Sequence, residues 1–153
     1  MALSPQERLA LENAISPIRL QTYRTAAAAA SCDDIELYLW DRDLAAAAIA
    51  DIAILEVALR NAMNSVLAQL AGQPDWYAVD IGLDNRSLTA VAKAWNEVPA
   101  ARRTPGRVVA QLMFGFWRNL LEAGGDVGAG PLKRRVHYED LWRAGLQRAF
   151  PGG

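Results

Sequence analysis

The chain is short of the residues on which many kinds of protein depend: it has one cysteine and one histidine among 153 residues. With Cys32 alone, no intramolecular disulfide can form, which excludes a disulfide-stapled scaffold. Cys32 has no neighbouring base and no metal-ligand spacing, so it reads as a small buried residue. His137 has no His/Cys cluster around it, and neither a phosphate-binding Walker loop nor a dinucleotide fingerprint occurs. The glycines from Gly124 to Gly130 follow a helix and precede Pro131, the wrong context for such a loop. No cofactor and no metal is therefore expected. A membrane span is missing too: the strongly apolar run from Leu44 to Leu59 is broken by Asp51 and Glu56, short of the roughly 18 uninterrupted residues a span needs. The start, MALSPQERLALENA, has no basic segment leading into an apolar one, so no secretory signal is read and a cytoplasmic location is expected.

Strong charge of one sign is also lacking. A net charge of −1 argues against bulk attraction to nucleic acid. Two basic clusters stand out locally, RRTPGR at 102–107 and KRR at 133–135 just before His137. They read either as solvated loops or as a phosphate-contacting patch, in which Arg102, Arg103 and Arg107 would be the RNA-phosphate contacts.

What the chain does have is helix signal, and an apolar share of 52%, enough for one core. Ser4-Pro5-Gln6-Glu7 has the form of a capping box, and Ser16-Pro17 repeats the serine–proline start before the alanine run at 26–30. Asp33 and Asp34 suit the start of a third helix. From there to Ala71 no glycine or proline intervenes, and Gly72 with Pro74 ends the run. So long a helix is expected to bend near Trp40-Asp41-Arg42-Asp43. Asp84 or Asn85 is placed to cap residues 86–98, ended by Pro99. Thr104-Pro105 opens a helix carrying VVAQLMFGFWRNLLEA up to Gly124-Gly125, residues 124–131 form a loop, and 138–149 form a last helix. No window alternates as a strand does. The expectation is an all-α, single-domain bundle of about six helices over residues 1–153. Trp117 with Phe114 and Phe116, and Trp142 with Leu141 and Leu146, sit at core spacing rather than as stacking platforms for bases.

One stretch resists this simple reading. In LEVALRNAMN, residues 55–64, a helical projection puts Ile52, Leu55, Leu59, Ala62, Met63, Val66, Leu67 and Leu70 on one broad apolar face, with Glu56 inside it and Arg60 at its edge. Asn61 points nearly the opposite way. Glu56 and Arg60 are an i,i+4 pair in the favourable order. They read as an internal ion pair locking neighbouring helices, or with Asn61 as a polar cluster at a site or interface.

The ordered blocks ILEVALRNAMN, RTPGRVVAQLMFGFWRNLL and YEDLWRAGLQRAFPG resemble the Abi-like (abortive-infection) bacterial protein family, over about Ile15 to Pro151. The resemblance implies a helical fold of the HEPN type, commonly dimeric. It also implies a place in toxin–antitoxin or phage-defence systems, where members are often metal-independent endoribonucleases. Their catalysis rests on an Arg followed shortly by a His, in an RN…H segment near the C-terminus. Such a His serves as general acid or base on the ribose 2′-OH or the leaving oxygen, with Arg stabilising the phosphorane. The pattern fails here: the residues five to seven before His137 are Leu132, Pro131 and Gly130, and no His follows Arg60-Asn61. The resemblance implies either the N-terminal part of such a protein, truncated at the C-terminus, or a shortened relative. Two functions follow as expectations. One is an Abi-like scaffold without a complete catalytic motif, working as a homodimer or with an antitoxin or other partner protein, and with RNA as a conceivable ligand. The other is a non-catalytic helical interaction or dimerisation module. A ribonuclease using His137 is a third and weaker reading.

Overall fold

The helix starts follow the local chemistry closely. In the computed structural model, which describes residues 3–152, Ser4 caps α1 (Pro5–Ile15). Its hydroxyl accepts from the Glu7 N–H, and the Glu7 carboxylate accepts from the Ser4 N–H at 2.8 Å, closing the capping box. Ser16 caps α2 (Pro17–Ala30), which ends at Ser31 in the left-handed region. Asp33 then caps α3 (Asp34–Ala71), its Oδ1 accepting from the N–H groups of Ile35 and Glu36 at 2.9 and 3.0 Å. The helix is unbroken through Trp40 to Asp43, where no glycine or proline interrupts the ladder. Gly72, at φ 69°, follows its end.

Contacts divide the chain into two compact units after Ala53. The first contains α1, α2 and the beginning of α3. Its buried apolar residues, among those described, are Leu20, Ala27 and Ile35. Ion pairs supplement them. Arg8 pairs with Glu12, Asp33 and Asp34, and Arg24 pairs with Glu12 and Asp34, so two arginines tie α1 and α2 to the start of α3. Tyr23 adds an edge-on ring contact to Tyr38 at 5.2 Å and donates its hydroxyl to Asp41 at 2.6 Å.

The second unit, from Ile54, contains the rest of α3, a 3-10 turn at Trp76–Ala78, α4 (Asn85–Glu97), α5 (Pro105–Ala110), α6 (Phe114–Asn119) and α7 (Tyr138–Ala144). A two-residue antiparallel ladder, β1 (Asp126–Val127) with β2 (Arg134–Arg135), pairs Asp126 with Arg135 and Val127 with Arg134. The architecture of the described residues is thus all-α apart from that ladder. The core of this unit centres on Trp76, fully buried, which stacks on Phe116 at 6.0 Å and meets Trp117 edge-on at 6.2 Å. Its indole N–H donates to Asn64 Oδ1 at 2.9 Å, so the one polar atom of the ring is satisfied. Met63, Leu67, Leu112, Leu120 and Leu146 belong to the same fully or nearly fully buried cluster.

Four local expectations are corrected. The single helix expected after Thr104-Pro105 is two, because the Leu112 carbonyl accepts from the Trp117 indole at 3.3 Å and the Phe116 N–H turns to Met113 instead. The last helix stops at Ala144, where Gly145 takes φ 141° and a 3-10 turn, Leu146–Ala149, follows. Residues 124–131 are not wholly a loop, since they supply β1. Cys32 is exposed rather than buried, because it sits in the tight turn between α2 and α3. Trp117 and Phe116 are buried as core spacing predicts, while Phe114 and Trp142 are half-buried.

Trp76→Ala is expected to destabilise the protein by about 3–5 kcal/mol in denaturant unfolding, through the cavity and the orphaned Asn64 carbonyl. A loss below about 1 kcal/mol would mean that the cluster is not centred on this ring.

Candidate functional site

The residues singled out by sequence do not converge on one place. Glu56 and Arg60 are half-buried and Asn61 is exposed. The i,i+4 ion pair is not formed: among the described residues the i,i+4 pairs are Arg8–Glu12, Lys93–Glu97, Arg118–Glu122 and Arg143–Glu139. A pair on a helix open to water gains little over the side-chain entropy it costs. The apolar face drawn through this segment is buried only from Met63 onward, at Met63, Val66 and Leu67, whereas Ile52 and Leu55 stand in solvent.

The basic cluster at 102–107 is also divided. Arg103 is half-buried and committed to structure: its Nε donates to the carbonyls of Trp95 and Val98 at 3.1 and 3.0 Å, and its guanidinium lies 4.5 Å from the centre of the Trp95 ring. It closes the C-terminal end of α4. Arg107 donates to the Arg102 carbonyl, and both remain exposed. Around His137 the basic side chains are engaged as well. Lys133 pairs with Asp126 at 2.9 Å, Arg134 with Asp80 at 3.2 Å, and Arg135 donates to the Gly124 carbonyl. His137 itself is exposed at the N-cap of α7 and makes no capping bond with its side chain.

A buried polar network in the second unit was only half visible in the sequence. Asp84 caps α4, its Oδ1 accepting from the Ser87 N–H at 2.8 Å, and is 2% exposed. The Ser87 and Tyr138 hydroxyls lie 2.6 Å apart, and the Asp84 N–H donates to the Tyr138 oxygen at 3.3 Å. Burial works to raise the Asp84 carboxyl, but the hydrogen bonds from Ser87 and Tyr138 outweigh it and hold the group below the usual carboxylate range. Burial pushes the Tyr138 hydroxyl up to about 12. Gly124 and Gly125 make room for this arrangement. A Cβ on Gly125 would lie 2.6 Å from Asp84 Oδ2, and one on Gly124, at φ 84°, would lie 2.3 Å from the Val136 carbonyl oxygen.

Beside the network lies an open cleft of about 840 Å³ lined by Asp84, Arg86, Glu122, Asp126, Lys133 and the loop glycines. Its charges are matched within the fold: Arg86 with Glu122 at 3.1 Å, and Lys133 with Asp126. It presents neither an unopposed cation for phosphate nor a ready acid–base pair. Among the described residues no group of three or more His, Cys, Asp or Glu is placed to hold a metal.

The strongest surface feature is apolar. Every residue from Trp40 to Leu55 on α3 is exposed, among them Trp40, Leu44, Ile49 at 66%, Ile52, Ile54 at 71% and Leu55. Alanines at 45–48, 50 and 53 fill most of the spaces between them. Sixteen helical residues at 1.5 Å each make a rod about 24 Å long. The charged residues within it are Asp41, Arg42, Asp43 and Asp51, and large exposed apolar patches of this kind mark interaction sites. No helix among the described residues is long and apolar enough to cross a membrane. Comparison with protein-family models, curated proteins and solved structures gives no match.

Because the Asp84 carboxyl sits below its unfolded value, it contributes stability that is fully present above about pH 4 and is lost as pH falls through its folded value. Asp84→Ala is expected to cost about 1–2 kcal/mol at pH 7, the range for a lost helix cap. Asp84→Asn keeps a capping oxygen, and its deficit against the natural chain should shrink on acidification. A deficit unchanged between pH 7 and pH 3 would show that the charge contributes nothing.

Proposed function

We propose that the chain is a helical interaction module whose working surface is the exposed apolar stretch of α3. In the wider reading it is an Abi-like scaffold of a phage-defence or toxin–antitoxin system, acting in the cytoplasm without a complete Arg–His ribonuclease motif of its own. The observation that carries this proposal is the unbroken exposure of Trp40 to Leu55. Burying such a rod against another protein would release apolar area worth about 25 cal/mol per Å² before the costs of association.

The remaining observations fit a binding role better than a catalytic one. His137 is exposed, and the cations nearest to it in sequence already hold acids or carbonyls. Arg103, one of the three proposed phosphate contacts, closes α4. Any contact with RNA would fall to Arg102 and Arg107.

Two measurements test this. An Ile49→Cys chain, made in a Cys32→Ser background because Cys32 is itself exposed, is treated with a maleimide inside living cells. Labelling well below that of a free surface thiol supports a covered helix, and labelling at the free rate overturns the proposal. Purified protein incubated with single-stranded RNA is expected to leave it intact. Cleavage that disappears in His137→Ala would overturn the non-catalytic reading.

A further inference from the structure

Trp142, half-buried on α7, stands outside the aromatic centre of its unit and lines a cleft of about 360 Å³ between α7 and the chain that follows α6. The apolar lining is Leu120, Leu121, Tyr138, Trp142 and Phe150. Tyr138 and Trp142 are four positions apart and so share a face of α7. Gly145, at φ 141°, turns the chain after that helix, and the 3-10 turn Leu146–Ala149 brings Phe150 back beside Trp142. The two ring centres are 5.5 Å apart and the planes meet at 40°, neither a flat stack nor an edge-on contact. Both rings border the cleft.

Two charged residues complete the lining, Glu122 and Glu139, and both are acids. Arginines reach them: Arg86 and Arg118 lie 3.1 and 3.3 Å from Glu122, and Arg143 lies 2.8 Å from Glu139. None of the three arginines lines the cleft. All five side chains are 43% or more exposed, and ion pairs so open to water contribute little. A cation seated in the cleft has little to displace.

We propose that this cleft binds an organic cation carrying a methylated ammonium group, seated against Trp142 and Phe150 with its charge met by Glu122 and Glu139. The proposal concerns the second unit alone and is independent of the reading of α3. Aromatic faces carry partial negative charge and attract a cation within about 6 Å of the ring centre, tryptophan most strongly. Methyl groups let such a cation rest on apolar walls, whereas a bare ammonium is strongly hydrated and needs hydrogen-bond acceptors that rings do not supply. A metal ion would need converging oxygen or nitrogen donors, and no such group occurs among the described residues. An uncharged apolar ligand would use the walls and leave both acids idle. The volume lies within the range of small-molecule sites, about 300–1,000 Å³.

Titration of the full purified chain with choline, followed on the indole N–H resonances, tests the proposal. The Trp142 signal, identified by its loss in Trp142→Leu, is expected to shift saturably while that of exposed Trp40 stays in place. The alcohol in which a tert-butyl group replaces the trimethylammonium of choline has the same shape without the charge. It is expected to bind roughly tenfold more weakly. Glu139→Gln, at an exposed position, should weaken choline severalfold and leave the alcohol unaffected. By calorimetry Trp142→Phe, which keeps a ring, should bind choline more tightly than Trp142→Leu, with circular dichroism confirming that each variant is folded. A trimethylammonium group reaches a protein either on a small metabolite or on a methylated lysine, so acetyl-trimethyllysine amide is titrated beside choline. Tighter choline binding assigns a free metabolite, and tighter binding of the lysine derivative assigns a methylated protein. No saturable shift with either probe, equal binding of choline and the alcohol, or indifference to Glu139→Gln would each overturn the proposal.

Discussion

The exposed, largely apolar stretch of α3 is the constraint from which the reading of this chain follows. Helix α3 supplies Ile35 to the buried residues of the first unit and Met63, Val66 and Leu67 to those of the second. The residues from Trp40 to Leu55 are exposed, with Tyr23 of α2 reaching Asp41. Helical propensity keeps this segment in shape, since alanine and leucine recur in it and no glycine or proline breaks it. Propensity does not remove apolar surface from water, and only another molecule can do that.

The two units are stabilised differently, and the difference bears on function. The second unit has an aromatic centre, Trp76 with Phe116 and Trp117, and a buried cap in which Asp84, Ser87 and Tyr138 satisfy one another. A carboxylate so enclosed would be costly if any of those donors were missing. Among its described residues the first unit buries the apolar side chains of Leu20, Ala27 and Ile35, and adds Arg8 and Arg24 against Glu12, Asp33 and Asp34. Partly exposed ion pairs contribute modestly. A small domain held this way gains more from a partner than one with a full core does.

Local chemistry was legible in the sequence, and long-range chemistry was not. Ser4 with Glu7, Ser16 with Pro17, Asp84, and Thr104 with Pro105 all open helices where their side chains said they should, because a cap is settled within four residues. The break at Gln111 to Met113 depends on the Trp117 indole reaching the Leu112 carbonyl, a contact that periodicity does not report. The end of α7 at Gly145 was signalled by the glycine and overlooked. Asp84 was foreseen as a cap but not as a buried one, since Tyr138 lies 54 positions away. Glu56 illustrates the limit most clearly. The helical projection sets it within an apolar stripe whose Ile52 and Leu55 stand in solvent, and it suggested Arg60 as a partner with which no ion pair forms. Periodicity tells which side of a helix a residue is on, and not whether that side faces its own chain.

Amide hydrogen exchange along α3, measured in dilute purified protein and again in concentrated cell extract, tests the reading of this helix as an interaction surface most directly. The amides from Leu44 to Glu56 are expected to slow in the extract, while those of Met63, Val66 and Leu67, already buried within one chain, exchange at the same rate in both. Exchange from Leu44 to Glu56 that is the same in both would contradict it.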